Sequence, residues 1–161
     1  MPPWKENLAR LIRHTPVRYL LPWVVRLAVP RQRVSVALVV VNSAGEILML
    51  RHVFHPYVPW GLPGGWLNRN EDPVEGALRE LREETGLTAA IIGPVIHVDY
   101  DPRPPHIGLA FLAYAQAGAF CLSHEIIEAA WFSPTALPQP LLPFVQESVA
   151  AGLASWRMAH G

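Results

Sequence analysis

The sequence is nearly without cysteine and carries little charge. Cys121 is the single cysteine among 161 residues, so an intramolecular disulfide is excluded, and no clustered Cys/His spacing indicates structural zinc. We therefore expect a reducing, cytoplasmic compartment, with Cys121 as a small buried side chain. The formal net charge is zero, so no overall field favours a specific nucleic-acid partner.

The sequence also lacks a hydrophobic run long enough to span a membrane. Residues 19–30 are apolar, but Pro22 and Arg26 interrupt them, and the stretch falls short of the roughly 20 residues that a spanning helix needs. A secretory signal is disfavoured because basic residues continue past this stretch. The hydrophobic content of 51% is enough to fill the core of a single domain.

The charge that is present is unevenly distributed. Residues 1–33 contain seven basic side chains and one acidic side chain, a net charge of +6, so residues 34–161 carry −6. Apolar residues at helical spacing predict an amphipathic helix over residues 3–14. We expect residues 1–33 to be a basic helical extension of a domain formed by residues 34–161. The extension would pack on the domain, pack on a second copy in a homodimer, or make a peripheral contact with an anionic membrane.

Strand-like and helix-like segments interleave in the predicted domain. Residues 34–41 have the continuous β-branched pattern of a strand buried on both faces, and residues 42–45 form a predicted turn before the strand EILMLR. A loop with one short strand is expected at residues 52–63. This order favours an α/β layered domain with a mixed sheet. Three more strands and a closing helix are expected in AAIIGPVIHVDY, HIGLAFLAYA, AAWFS and LLPFVQESVAAGLASW.

Residues 73–85 have the clearest helix signals in the chain. Asp72 suits the N-cap, Pro73 suits the first helical position, and Gly86 follows the predicted end. An apolar stripe on this helix can dock on a sheet. The stripe consists of Val74, Ala77, Leu78 and Leu81.

Three glutamates share one face of the same predicted helix. At about 100° per residue, Glu80, Glu83 and Glu84 lie close together beside the apolar stripe. Neighbouring carboxylates repel one another, so the arrangement favours a bound cation. Mg²⁺ and Mn²⁺ prefer oxygen ligands and commonly bridge carboxylates to substrate phosphates. The alternative interpretation is an ordinary solvated helix face.

The spacing around these glutamates matches a known motif. The residues that match are Gly65, Glu71, Arg79, Glu80, Leu81, Glu83, Glu84, Gly86 and Leu87. They fill every defined position of the Nudix box, GX5EX7REUXEEXGU, where U is apolar. The segment therefore resembles the Nudix hydrolase family, and the preceding residues 60–64, WGLPG, resemble the usual lead-in to the box. The flanking strands extend the resemblance to residues 34–158.

This resemblance implies a fold, a reaction and a set of metal ligands. The fold would be an α/β/α sandwich with a mixed central sheet, and the reaction would be metal-dependent hydrolysis of a phosphoanhydride bond with Mg²⁺ or Mn²⁺. By position in the motif, Glu83 and Glu84 would ligate the metal. Glu80 would be a further ligand or a base, and the carbonyl of Gly64 would complete the site.

The resemblance also implies roles for residues around the metal ligands. Arg79 and Glu71 would orient Glu80 through a salt bridge. The family often takes its general base from outside the motif, so Glu125 is a candidate base or additional ligand. We expect Glu128 to be an outward-facing strand residue.

The residues that select the substrate are less constrained by the sequence. Trp60 and Trp66 would stack on a base or be buried beside the sheet, and Arg51 would contact phosphate or be a solvated strand end. Prolines about sixteen residues beyond the box resemble those of subfamilies that hydrolyse ADP-ribose. The histidines are expected on the surface or at satisfied core positions. They are His52, His55, His97, His106 and His124.

The expected substrate is a small nucleotide-type molecule. We expect a nucleoside diphosphate linked to another group, such as ADP-ribose or a sugar nucleotide. Hydrolysis of nucleoside triphosphates is the first alternative. The Nudix fold also serves an isomerase of isoprenyl diphosphates and ligand-sensing domains without catalysis, and both of these alternatives stay open.

Overall fold

The structure is a computed structural model that describes residues 32–160 together with Tyr19 and Trp23. The predicted helical extension lies almost entirely outside these residues, so its helices, its homodimer contact and its membrane contact stay predictions. The described residues from Arg33 onward belong to one compact unit. Within the described part of the chain, no helix is both long and apolar enough to cross a membrane.

The described residues build one mixed sheet and two helices. Strands β1 and β6 run parallel, and the other paired strands are antiparallel. The main path through the sheet is β3-β2-β1-β6-β5, while β4 pairs with β1 and β7 pairs with β2. The elements are β1 (Arg33–Val41), β2 (Ile47–His52), β3 (Trp60–Gly61), β4 (Gly64–Trp66), α1 (Pro73–Thr85), β5 (Ala90–Pro102), β6 (Pro105–Tyr114), β7 (Ile126–Phe132) and α2 (Pro143–His160).

Strand β1 is buried on both faces, as predicted from its continuous β-branched sequence. Because side chains of a strand alternate between its faces, Leu38 and Val40 join the core cluster beneath α1, whereas Val39 and Val41 join the cluster beneath α2. All four side chains are fully buried. The sheet therefore lies between two helical layers, which confirms the α/β/α fold.

The segment that leads into α1 inserts between β1 and β2. These two strands pair beside their turn, at Val41 and Ile47. Further along, β3 pairs with β2, while β4 pairs with β1. The amide of Leu38 donates to the carbonyl of Pro63 at 2.9 Å, which helps to hold the inserted segment. The insertion places the backbone of Gly64 beside the middle of β1.

Helix α1 begins and ends where its capping residues predict. The side chain of Asp72 accepts hydrogen bonds from the amides of Val74 and Glu75 at 2.9 and 3.3 Å. Gly86 has a left-handed φ of 74°, and its amide donates to the carbonyl of Arg82 at 2.9 Å. The predicted apolar stripe packs on the sheet, which turns the adjacent glutamate face toward β4.

The prediction that Cys121 is buried is wrong, because its side chain is exposed. The loop between β6 and β7 uses its backbone, rather than this side chain, to contact α1. The amide of Cys121 donates to the carbonyl of Thr85 at 2.8 Å, and the amide of Ser123 donates to the carbonyl of Glu84 at 3.1 Å. These bonds tie the loop to the C-terminal turn of α1.

Candidate active site

Arg79 joins three carboxylates at the centre of the site. Its guanidinium makes a two-point contact with Glu71, with N–O distances of 2.7 and 3.0 Å. It also donates to Glu80 at 2.8 Å, to Glu83 at 3.0 Å and to the carbonyl of Trp66 at 3.2 Å. The planar fork of arginine suits such shared contacts, because its donors point in fixed directions. The contacts with Glu71 and Glu80 are those expected from the motif, whereas the contacts with Glu83 and Trp66 are additional.

The pKa values of this network follow from its contacts. The hydrogen bond from Arg79 lowers the pKa of Glu71 to about 2, and the bond with Glu71 raises the pKa of Arg79. Burial raises the pKa of Glu80, although Arg79 opposes that effect. Glu71 therefore holds the arginine as a firmly ionised partner, while Glu80 has the more basic carboxylate.

Glu84 is the most buried of the glutamates on the helix face. Its Oε2 accepts a hydrogen bond of 2.9 Å from the amide of Gly64. The pKa of Glu84 is raised to about 8, mainly by burial. The hydrogen bond from Gly64 opposes this shift, and the charges of Glu80, Glu125 and Glu83 add to it. A cation beside these groups would offset their repulsion and favour the ionised form of Glu84.

Two glycines allow the backbone of the inserted segment to approach its neighbours. A Cβ on Gly65 would lie 2.6 Å from Cδ of Glu80 and 2.7 Å from each of its carboxylate oxygens. A Cβ on Gly64 would run into the backbone carbonyl of Val36. Larger residues would therefore displace either the Glu80 carboxylate or strand β4 from β1.

The oxygen donors of this face suit a hard divalent cation. Among the residues that the structure describes, no three His, Cys, Asp or Glu side chains are arranged so that they could hold a metal ion together. The carboxylates of Glu80 and Glu83 instead contact Arg79, and that of Glu84 contacts Gly64. The close approach of Gly65 to Glu80 and the raised pKa of Glu84 both fit a cation at this face.

Two neighbouring cavities meet at this face. The first, of about 370 Å³, is called the carboxylate cavity and contains Arg79, Glu80 and Glu83. The second, of about 350 Å³, is called the apolar cavity and reaches Phe144 and Val145 of α2. Five residues line both cavities, so they form one continuous site. The shared residues are Gly64, Gly65, Trp66, Glu84 and Glu125.

Glu125 lies at the junction of the two cavities. The loop before β7 is tied to α1 through Ser123, as described above, and its other end contacts Val53, whose amide donates to the carbonyl of Glu125 at 2.9 Å. The Glu125 side chain is about half exposed, at 56%. The loop thus returns to the glutamate face of α1, and the role of Glu125 as a base or ligand stays a prediction.

Arg51 is paired with a glutamate on the neighbouring strand. It lies opposite Glu128 in the pairing of β2 with β7, and the two side chains approach to 3.1 Å with both partly exposed. Glu128 therefore has the outward strand position that was expected. The assignment of Arg51 as a phosphate contact stays a prediction.

The two tryptophans have different surroundings. Trp60 is half-buried, and its ring meets Phe132 edge-on at 5.2 Å within the cluster beneath α2. Trp66 is 47% exposed, and its ring meets His106 edge-on at 4.8 Å. Both rings line the apolar cavity, and Trp66 also lines the carboxylate cavity. Their stacking on a base stays a prediction, for which Trp66 has the more accessible ring.

His52 is a site residue that the sequence reasoning missed. It lines the apolar cavity, and its Nδ1 lies 4.0 Å from Oε1 of Glu84. Burial, together with a smaller effect of the charge of His55, lowers the pKa of His52 to about 4, so the ring is neutral at pH 7. The two-residue alternation of β2, from Leu48 through Leu50, would have placed His52 on the α1 side of the strand.

Comparison with known proteins identifies related sequences and folds. A family model described as NUDIX domain matches residues 31–152. The ADP-ribose pyrophosphatase of Methanocaldococcus jannaschii is 27% identical over 122 residues, which cover 73% of this chain and 71% of that protein. The RNA pyrophosphohydrolase of Brucella abortus is 38% identical over 88 residues, covering 48% of this chain and about half, 49%, of that protein.

Solved structures share the fold over most of this chain. The MutT protein from Methanosarcina mazei has 27% sequence identity and a TM-score of 0.60, with coverage of 83% of this chain and 100% of that one. A NUDIX hydrolase from Nitrosomonas europaea has 22% identity and a TM-score of 0.69, with coverage of 83% and 75% respectively.

Proposed function

Because this chain belongs to the Nudix hydrolase family, we propose that it hydrolyses a phosphoanhydride bond in a small nucleotide-type substrate with Mg²⁺ or Mn²⁺. The preferred substrate is a nucleoside diphosphate linked to another group, such as ADP-ribose or a sugar nucleotide. The observation that carries this proposal is the group formed by Glu80, Glu83 and Glu84 beside Arg79 in the carboxylate cavity. We propose a cytoplasmic location, as expected from the single cysteine.

The carboxylates and the neighbouring backbone would hold the cation. Glu80, Glu83 and Glu84 supply oxygen ligands, with the carbonyl of Gly64 as a further ligand. When bound, the cation neutralises charge on the diphosphate and lowers the pKa of the attacking water. The amide of Gly64 keeps Glu84 in place through its 2.9 Å hydrogen bond.

Arg79 and Glu71 would position the ligands without touching the substrate. Glu71 is itself held by the amide of Asn68 at 2.7 Å, so it gives Arg79 a fixed anchor. Arg79 then restrains Glu80 and Glu83 at 2.8 and 3.0 Å. This arrangement reduces the motion of the carboxylates that must meet the cation in a defined geometry.

Glu125 is the proposed general base. Its position at the junction of the cavities would let it accept a proton from the water that attacks one phosphorus atom. The bond from that phosphorus to the bridging oxygen then breaks, and the second phosphate leaves with its organic group. Glu80 is the alternative base, because burial raises its pKa and so makes its carboxylate more basic.

The substrate assignment is supported by the relatives and by the shape of the site. The relative that shares 27% identity over 73% of this chain is an ADP-ribose pyrophosphatase. The apolar cavity adjoins the carboxylate cavity and gives room for an organic group beside the diphosphate. RNA pyrophosphohydrolases match over about half of this chain, so substrates with a 5′-triphosphate, including nucleoside triphosphates, are the alternative.

A substrate panel with Mg²⁺ tests the proposal. The panel contains ADP-ribose, sugar nucleotides, nucleoside triphosphates, dinucleoside polyphosphates and RNA with a 5′-triphosphate. We expect the first two classes to be cleaved fastest, and we expect Glu84→Gln to lower kcat/KM by at least about a hundredfold. Glu75→Gln is the matched control, because Glu75 is exposed in the first turn of α1 and lines neither cavity.

Two outcomes would contradict hydrolysis. If no substrate is cleaved but one compound raises the melting temperature, the protein is a ligand-sensing domain. If an isoprenyl diphosphate is isomerised without release of phosphate, the protein is an isomerase. Faster cleavage of triphosphates than of ADP-ribose would contradict the substrate assignment alone.

A further inference from the structure

An exposed aromatic side chain lies at the open side of the apolar cavity. Phe54 is 69% exposed, yet it lines the cavity together with His55 and Val58 of the same loop. A large apolar side chain that faces both solvent and an apolar cavity can bury further area when a ligand enters. The loop of residues 53–58 is therefore a candidate binding surface.

The loop has a fixed base. The amide of His52 donates to the carbonyl of Pro59 at 2.8 Å, which joins the two ends of the loop. The amide of Val53 donates to Glu125, as described above, and connects the loop to the junction of the cavities. Phe54 thus extends from an anchored segment that lies next to Glu125, the proposed general base.

The wall of the apolar cavity on the α2 side contains a further aromatic ring, in addition to those of Trp60 and Trp66. Phe144 lies directly on the backbone of β6, because a Cβ on Gly108 would be 2.9 Å from Cε2 of its ring. The ring of His97 packs against it with a centroid distance of 5.4 Å. The cavity is therefore bordered by a packed phenylalanine from α2 and an exposed phenylalanine from the loop.

The continuity of the two cavities indicates what occupies the apolar one. A diphosphate bound with its cation beside Glu80, Glu83 and Glu84 would direct one attached group through the junction into the apolar cavity. Burial of a charged group against apolar walls is unfavourable, so that group should be uncharged. A flat ring gains most from aromatic neighbours, because stacking adds to the burial of its area.

We propose that the apolar cavity binds the planar, uncharged end of the substrate, a nucleobase, and that Phe54 is a specificity-determining residue that packs on this ring. The inference rests on the proposed function, which places the diphosphate in the carboxylate cavity. It goes further by assigning the cavity that holds the nucleobase and a residue that recognises it.

Binding measurements test this inference without relying on catalysis. Calorimetric titration with AMP and with ribose 5-phosphate, both in the presence of MgCl₂, compares ligands with and without a base. The intact protein should bind AMP more tightly. Phe54→Ala should weaken AMP binding about tenfold and leave ribose 5-phosphate binding unchanged, since stacking involves the base alone.

The control replaces another exposed aromatic residue. Tyr100 on β5 is 57% exposed, so Tyr100→Ala removes a comparable ring from the surface. It should leave both affinities unchanged. Because Phe54 is itself exposed, its removal should not impair folding, and equal melting temperatures of the two variants would check this. Phe54→Leu should restore only part of the AMP affinity.

The outcomes separate this inference from the proposed function. Equal affinity of the intact protein for the two ligands, or an equal effect of Phe54→Ala on both, would overturn the role of Phe54. An AMP preference that depends on Phe54, together with no cleavage of any panel substrate, would retain the inference and overturn hydrolysis. Cleavage with no effect of Phe54 would do the reverse.

Discussion

The carboxylate cavity and the apolar cavity share residues 64–66 but are stabilised by different forces. In the first, one guanidinium holds three carboxylates at distances of 2.7 to 3.0 Å. In the second, the α2 wall is formed by packed side chains such as Phe144 and Val145, which contribute through area and shape. Loss of one hydrogen-bonding group should therefore lower the activity of the first cavity strongly. Loss of packing area in the second cavity should change substrate affinity only moderately.

Among changes that leave the proposed metal ligands intact, the largest effect is expected when the arginine of the carboxylate cavity is replaced. Arg79→Gln removes the restraint on Glu80 and Glu83, and we expect kcat to fall about 10- to 100-fold with a smaller change in KM. Arg79→Lys keeps the charge but not the planar fork, so it should recover only part of the activity. Steady-state kinetics at saturating Mg²⁺ would measure both changes.

The matched control for this prediction lies on the same helix. Arg82 is exposed in the last turn of α1, so Arg82→Gln should keep nearly full activity. A shift in the apparent Mg²⁺ affinity of Arg79→Gln would indicate positioning of the ligands. A lower melting temperature of Arg79→Gln without any change in kcat or in Mg²⁺ dependence would contradict the positioning role.

A smaller effect is expected from adding one methyl group beside Glu80. In Gly65→Ala the new Cβ would meet the carboxylate at 2.6 to 2.7 Å, so the side chain of Glu80 must move. We expect an activity loss of about tenfold, since misplacement by about 1 Å can cost 10- to 100-fold. Gly118→Ala is the control, because the nearest atom to its added Cβ is 3.6 Å away. Equal activity of the two variants would contradict the close approach.

A weaker and different response is expected from the apolar cavity. Phe144→Leu keeps an apolar wall but removes a ring, so KM for a base-containing substrate should rise about threefold to tenfold with kcat nearly unchanged. Leu153→Ala removes packing from the same helix and cluster without touching the cavity. It should lower stability and leave KM unchanged. A fall in kcat for Phe144→Leu would contradict the proposed division of roles between the two cavities.

The smallest expected effect is a pH dependence of stability in the metal-free protein. Glu84 has a pKa of about 8 in the fold against 4.5 ordinarily, so between these values the folded state binds more protons than the unfolded state. The free energy of unfolding therefore decreases as pH rises through this window. Glu84→Gln lacks this contribution. As pH rises through this window, the melting temperature of the variant should increase relative to that of wild type by on the order of a few degrees.

Thermal denaturation with a chelator at about pH 5 and about pH 8 would measure this difference. Glu71 has the opposite sign, because its lowered pKa stabilises the fold above about 4.5 and that contribution is lost as pH falls toward about 2. The higher window therefore excludes Glu71, and the difference between wild type and Glu84→Gln excludes the groups that both proteins retain, such as Glu80. A difference between the two proteins that does not change with pH would contradict the raised pKa.

Sequence patterns predicted the elements that depend on neighbouring residues. Helix α1, its caps and its glutamate face follow from local spacing, and the burial of β1 follows from its β-branched run. The positions of Glu125 and His52 near Glu84 depend on contacts between segments that are distant in the sequence. Local spacing contains no information about those contacts, so the register and the cavities required the structure.

Two prediction errors, one in a strand boundary and one in the burial of a side chain, have similar physical causes. Strand β7 begins at Ile126, three residues before the predicted strand AAWFS, because its partner β2 extends the pairing to His52. The exposure of Cys121 follows from the backbone bonds that hold its loop on α1, which a residue-type rule for burial does not include. In both cases a distant partner determined the local outcome.

The inserted segment of residues 60–66 couples the integrity of the site to that of the whole domain. Its two halves, β3 and β4, pair with different strands. The segment therefore cannot separate from the sheet without breaking hydrogen bonds to both β1 and β2. The amides along β1 and β4 should consequently open to hydrogen exchange only in global unfolding, rather than through local fluctuation. The backbone of Gly64, the proposed carbonyl ligand, should therefore exchange as slowly as the core strands and not as fast as a surface loop.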